Sequence, residues 1–192
     1  MKKIALVALL SAVVATPALA DNTGKFYGAV DLGSVSLSNT NPGGTAFGNP
    51  GAFRFAGGFH INPMFAVEAG YLMMGDSTLA VTGATVTTKN SALQFAAVGS
   101  YPVAPQFDLI GKLGLSMNSN KLAGTGTSAA LNSSNTTTSL MYGIGGQYKV
   151  NSQISIRAQY ESFGDSKTTN NTSGQSWNVG STMFSVGGVY NF

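Results

Sequence analysis

From residue 25 onward, stretches with an apolar side chain at every second position alternate with stretches of Ser, Thr, Asn and Gly that hold almost no apolar residue. A two-residue period puts successive side chains on opposite faces of a strand, and the polar stretches have the composition of loops. The periodic segments read KFYGAVDLGSV (25–35), AFRFAGGFHI (52–61), FAVEAGYLM (65–73), ALQFAAVGSY (92–101), FDLIGKLGLSM (107–117), LMYGIGGQYKV (140–150), ISIRAQYESF (154–163) and TMFSVGGVYNF (182–192). They predict eight strands of about ten residues, the length a tilted strand needs to cross a membrane. Connections at 62–64, 102–106 and 151–153 are short, whereas those at 38–51, 75–91, 118–138 and 164–178 are long and polar. Long and short links alternate strictly. That pattern predicts an antiparallel up-and-down order with every long loop at one end, the asymmetry of outer-membrane barrels, whose short turns face the periplasm.

The two faces of the strands decide between such a barrel and a soluble β-sandwich. Positions in phase with the largest side chains include Phe53, Phe55 and Phe59 on the second strand, Phe65, Val67 and Tyr71 on the third, and Phe107, Leu109, Leu113 and Leu115 on the fifth. No charged residue shares this phase, and aromatics gather toward both strand ends. An apolar band between two aromatic girdles is what a lipid-facing barrel wall requires. The opposite phase carries Asp31, Arg54, Glu68, Asp108, Lys112, Lys149, Arg157 and Glu161, together with His60 and many glycines. A sandwich core cannot hold so many ionisable groups at low dielectric. The narrow interior of an eight-stranded barrel, filled by side chains, can.

Counting upward from the short turns places Glu68, Arg157, Asp31 and Lys112 at similar heights near mid-membrane. Two acids and two bases at one level predict a neutral polar plug, with Arg54 and Glu161 as a second pair above it. Individual partners stay open, because the shear of the strands is not readable from sequence. The same charges admit two roles: closing the barrel, or lining a gated conduction path.

Composition agrees with membrane residence. Charged residues are 9% of the 192, far below the roughly 25% of a soluble domain, yet no internal run approaches the roughly 18 apolar residues of a spanning helix. The N-terminal MKKIALVALLSAVVATPALA joins Lys2 and Lys3 to an apolar middle and an Ala-Leu-Ala end, which predicts a secretory signal peptide over 1–20 and a barrel domain over 21–192. Removing Lys2 and Lys3 from the ten basic residues leaves eight against seven acidic ones, a net charge of +1. An exported chain with no basic patch has no nucleic-acid role.

The segments FHINPMFAVEAGYLMMGD, FDLIGKLGLSM and YGIGGQYKVNSQISIRAQYESFGD resemble successive hairpins of the small eight-stranded outer-membrane barrels, a family that includes the transmembrane domain of OmpA, OmpX/Ail and NspA. The resemblance spans 21–192. It implies residence in the outer membrane among its lipids and lipopolysaccharide, and a lumen closed by ion pairs, a pattern that Glu68, Lys112, Arg157 and Glu161 suit. It also implies a host or surface ligand at the long loops. The ending with Tyr190 and Phe192 resembles the signal read by the outer-membrane assembly machinery, although Gly188 departs from the bulky residue often found in that phase. The peptidoglycan-binding domain of full-length OmpA is expected to be absent.

Catalysis and cofactors find little material. There is no cysteine, and His60, the only histidine, falls two residues before the Asn62-Pro63 turn, at the periplasmic end. One histidine makes a poor metal site. The expectation is a non-enzymatic barrel without metal or cofactor, serving a structural or surface recognition and adhesion role. A narrow porin-like channel is the alternative, and a lipid A-modifying enzyme a further one.

Overall fold

A computed structural model of the chain describes residues 22–39, 49–81, 84–126, 133–169 and 176–192. The segment read as a signal peptide lies outside these residues. Nine strands follow one another: β1 (Phe26–Asn39), β2 (Gly51–His60), β3 (Phe65–Met74), β4 (Ser77–Val81), β5 (Ala84–Ala104), β6 (Phe107–Gly126), β7 (Ser133–Lys149), β8 (Ile154–Thr169) and β9 (Ser176–Asn191). Consecutive strands pair antiparallel except β3 and β4, and β1 pairs with β9 and β3 with β5 as well, so the sheet closes on itself. β4 continues β3 beyond a break at Gly75–Asp76 and pairs with the same strand, β5. The wall is therefore an eight-stranded all-antiparallel barrel without a free edge at membrane level, which lipid demands because it offers no partner for backbone amides.

The turns are tight for chemical reasons. Asn62 Oδ1 accepts the amides of Met64 and Phe65, each at 2.8 Å. Asn151 Oδ1 likewise accepts those of Gln153 and Ile154 at 2.8 and 2.7 Å. Asparagine side chains close turns by standing in for a backbone carbonyl.

At the other end the strands run further than the sequence pattern predicts. β5 and β6 are 21 and 20 residues long, and stretches read as loop at 75–91, 118–138 and 164–178 continue largely as paired strand. Threonine favours extended backbone. With water on both faces, however, nothing forces an apolar–polar alternation, so these extensions carry no period-two signal. Among the described residues, β7 and β8 part above Tyr142↔Ser162, at a bulge where Gly164 takes a φ of 70°. Two projections result, one of β4–β7 and one of β8, β9 and β1.

The outer wall is apolar and exposed, from Phe26, Phe65, Tyr101 and Phe107 at the turn end to Tyr71, Tyr142, Tyr160 and Phe184 nearer the projections. Inside, the filling is layered rather than uniformly polar. Tyr27, Ala29, Ala66, Val98 and Val189 form an apolar tier toward the turns. Val35, Ala52, Leu72, Ala92, Met141, Phe163 and Met183 form another toward the projections, every one at most 7% exposed. The side chains of Asp31, Arg54, Glu68, Lys112, Arg157 and Glu161 lie between these two tiers.

Candidate functional site

Barrel register explains which charges meet. Asp31 and Arg54 are direct partners across β1 and β2, and Arg54 Nε donates to Asp31 Oδ2 at 2.9 Å. Three further contacts each span a glycine. Arg157 and Asp31 both flank Gly187, Lys112 and Glu161 both flank Gly143, and Tyr27 and Glu68 both flank Gly58. With no side chain on the strand between them, the two groups reach over it. Arg157 grips Asp31 in bidentate fashion, Nε to Oδ1 at 2.8 Å and Nη2 to Oδ2 at 2.7 Å, the strongest geometry for a guanidinium and a carboxylate. Tyr27 donates its hydroxyl to Glu68 Oε2 at 2.9 Å, and Lys112 Nζ stands 3.4 Å from Glu161 Oε1.

The links join into one network. Arg157 Nη1 donates to Glu68 at 2.6 Å, Lys112 Nζ to Glu68 at 2.6 Å, and Arg54 Nη1 to Glu161 at 2.5 Å. Arg54 and Glu161 thus pair as the sequence suggests, but they are not a separate layer: Arg54 also holds Asp31, and Lys112 reaches Glu161. Three carboxylates meet three cations, each residue at most 7% exposed. The tier is neutral as a whole, which is how buried charge is tolerated. A smaller pair, Lys149 with Asp108 at 2.8 Å, lies at the turn end.

The glycines permit this arrangement sterically. A Cβ on Gly143 would sit 2.6 Å from Glu161 Cγ, and one on Gly187 would strike Asp31 Oδ1 and the carbonyl of Val30. Gly187→Ala is expected to cost about 1–3 kcal/mol, as overpacking does, measured as a lower urea midpoint for the protein folded into vesicles. A midpoint equal to wild type would show that the bidentate pair does not need the bare strand.

His60 sits at the turn end, its Nε2 3.2 Å from Asn191 Oδ1 and its ring 4.9 Å from that of Tyr27. Tyr190 and Phe192 face outward, in mutual ring contact at 5.2 Å. The Phe192 amide donates to the Phe26 carbonyl at 3.0 Å, beside the β1–β9 pairing that closes the barrel. Sequence reasoning missed the upper apolar tier. Its signal is visible in retrospect as breaks in alternation: Leu72 beside Tyr71 and Met73, Met141 between Leu140 and Tyr142, and Met183 before Phe184.

A wall apolar outside, charged within and closed without an edge is a membrane wall, and family comparison agrees. The family model for the outer membrane protein beta-barrel domain matches residues 5–192. The chain belongs to this outer-membrane barrel family. Solved barrels share its fold. Neisserial surface protein A aligns at TM-score 0.67 and 18% identity, over 87% of this chain and 97% of that one. Ail, the attachment invasion locus protein of Yersinia pestis, aligns at TM-score 0.60 and 18% identity, over 88% and 99%. OprG from Pseudomonas aeruginosa aligns at TM-score 0.59 and 12% identity, over 88% and 96%. No curated protein sequence matches the chain at a significant level. The protein resides in the cell outer membrane, with its lipid-facing band in the bilayer.

Proposed function

We propose that the protein is a closed, non-enzymatic outer-membrane barrel whose working surface is its pair of strand projections, serving structural support or surface recognition and adhesion. One observation carries this reading: the lumen is filled at three levels, while β5 and β6 continue far beyond the length a crossing needs. A pore would spend the interior on a path, whereas this chain spends it on packing and sets its accessible polar surface outside. Binding residues commonly stand on such extensions of a rigid scaffold. Ail, which shares the fold, has been crystallised with the heparin analogue sucrose octasulfate, so a barrel of this shape can engage a ligand of that kind. His60, at the turn end and hydrogen-bonded to an asparagine, stands far from any lipid A substrate in the outer leaflet. On this reading residues 1–20 are removed on export, and Tyr190 and Phe192 are presented to the assembly machinery.

Two measurements test it. Purified protein in planar bilayers is expected to show no steady openings, and steady openings would overturn the closed-lumen reading. Deleting 122–133, which joins Lys121 to Ser134 where they already pair, is expected to leave folding intact and to abolish attachment conferred on a non-adherent host. Unchanged attachment to cells and matrix proteins would remove this projection from the recognition role.

A further inference from the structure

The outward face of β5, β6 and β7 changes character in steps as it leaves the membrane. Register is unbroken between β5 and β6 up to Ala84↔Gly126, and between β6 and β7 up to Leu122↔Ser133. Positions that face lipid lower down therefore keep facing outward. The last row with large apolar groups is Leu93, Met117 and Thr138. Above it stands a row of hydroxyls, Ser91, Ser119 and Thr136, and above that Lys89, Lys121 and Ser134.

Heights follow from strand geometry. From Phe107 to Met117 on β6, a rise of roughly 3.3 Å per residue at a tilt near 40° covers about 25 Å along the membrane normal, the height of an outer-membrane apolar band. Lys121 is four residues further along β6, about 10 Å above that band by the same geometry. Flexible lysine stems let the ammonium groups settle lower, at headgroup depth.

Lys89 and Lys121 are direct cross-strand partners, and both are exposed. Like charges placed this way repel. Asp76 Oδ2 meets Lys89 at 3.5 Å, but both side chains stay largely open to solvent, and among the described residues Lys121 has no ion pair. One carboxylate opposite two ammonium groups leaves a local positive charge. The outward residues leaving the band on β1 and β9, such as Ser34, Ser36 and Thr182, bring no such cation.

We propose that this face binds the phosphate of a phosphorylated glycolipid in the outer leaflet, with Lys89 and Lys121 as the phosphate ligands and the hydroxyl row below them against its sugar. Apolar, hydroxyl and ammonium rows follow one another in the order in which acyl chain, sugar and phosphate follow along such a lipid. The pairing needs the projections to lie on the outer side of the membrane, but it does not depend on any recognition role for them.

The test titrates the folded full-length protein, in neutral detergent micelles, with diphosphorylated lipid A, the same lipid stripped of phosphate, and phosphatidylglycerol. Two lysines near a charged lipid surface support a preference of at least about ten-fold for the phosphorylated glycolipid over its stripped form. Lys89→Gln combined with Lys121→Gln should erase that preference, whereas Asp76→Asn should strengthen it by removing the competing carboxylate. Equal binding of the two lipid A forms, or a double variant that binds like wild type, would overturn the site. Phosphatidylglycerol binding as tightly as phosphorylated lipid A would overturn the glycolipid assignment. Because Asp76→Asn moves affinity the other way, an unfolded double variant would not leave the question undecided. Loss of this preference with attachment intact, or the reverse, separates the lipid site from the recognition surface.

Discussion

Replacing Arg157 with alanine is expected to lower the free energy of unfolding by about 3–5 kcal/mol, the cost of breaking a buried charge network at one member. Arg157 makes both bidentate contacts to Asp31 and one to Glu68. Its loss leaves three carboxylates facing Arg54 and Lys112, with neither layer of the lumen open to water that could solvate the excess charge. Urea unfolding from vesicles measures the change. Arg157→Lys should recover only part of it, since a single ammonium cannot reproduce the planar fork that holds both Asp31 oxygens. Adding Asp31→Asn to Arg157→Ala restores charge balance and should return part of the stability. If Arg157→Ala unfolds at the wild-type midpoint, the charged tier does not hold the barrel together.

Phe163→Ala is the second large effect, again about 3–5 kcal/mol, the range for truncating a buried phenylalanine. Phe163 is fully buried among Leu72, Met141 and Met183 at the upper mouth of the lumen, and its carbonyl accepts the Ser139 hydroxyl at 2.5 Å. Removing the ring leaves a cavity that the neighbouring methionines fill only in part. Phe163→Leu, which keeps much of the volume, should cost markedly less. Equal losses for alanine and leucine would mean that the upper tier is not close-packed. The effect should be independent of salt, in contrast to that of exposed charges such as Lys89 and Asp76.

These expectations separate what each part of the lumen does. Charged residues bridge non-adjacent strands across glycines and lock register, while the apolar tiers above and below exclude water and keep each ion pair at low dielectric, where an unpaired charge is most costly. Lipid contributes nothing of this kind. The outer face leaves water for acyl chains on folding, but lipid accepts any apolar side chain alike, so specificity has to come from the interior.

The eight crossing strands, their order and their inward and outward faces were legible in the chain because lipid outside and a packed lumen inside impose strict alternation. Asp31, Arg54, Glu68, Lys112, Arg157 and Glu161 could be assigned inward by phase alone, and their approximate level by counting from the Asn62 and Asn151 turns. The extensions of β5 through β9 were not legible. Where water bathes both faces, Ser and Thr serve equally on either, and strand and loop share one composition.

Sequence by itself determined that this is a membrane barrel with a charged interior, since a two-residue period and the sorting of charge by phase are local properties. Only the tertiary structure decided that the six charges form one network, that Gly58, Gly143 and Gly187 are the gaps it reaches across, and that Leu72, Met141, Phe163 and Met183 close the lumen above it. Those facts depend on the stagger between strands, which accumulates around the closed wall and brings together residues far apart in sequence, such as Arg157 and Asp31, 126 positions apart. No local pattern encodes that stagger; it is set when β1 meets β9 and the last pair of strands has to match the first.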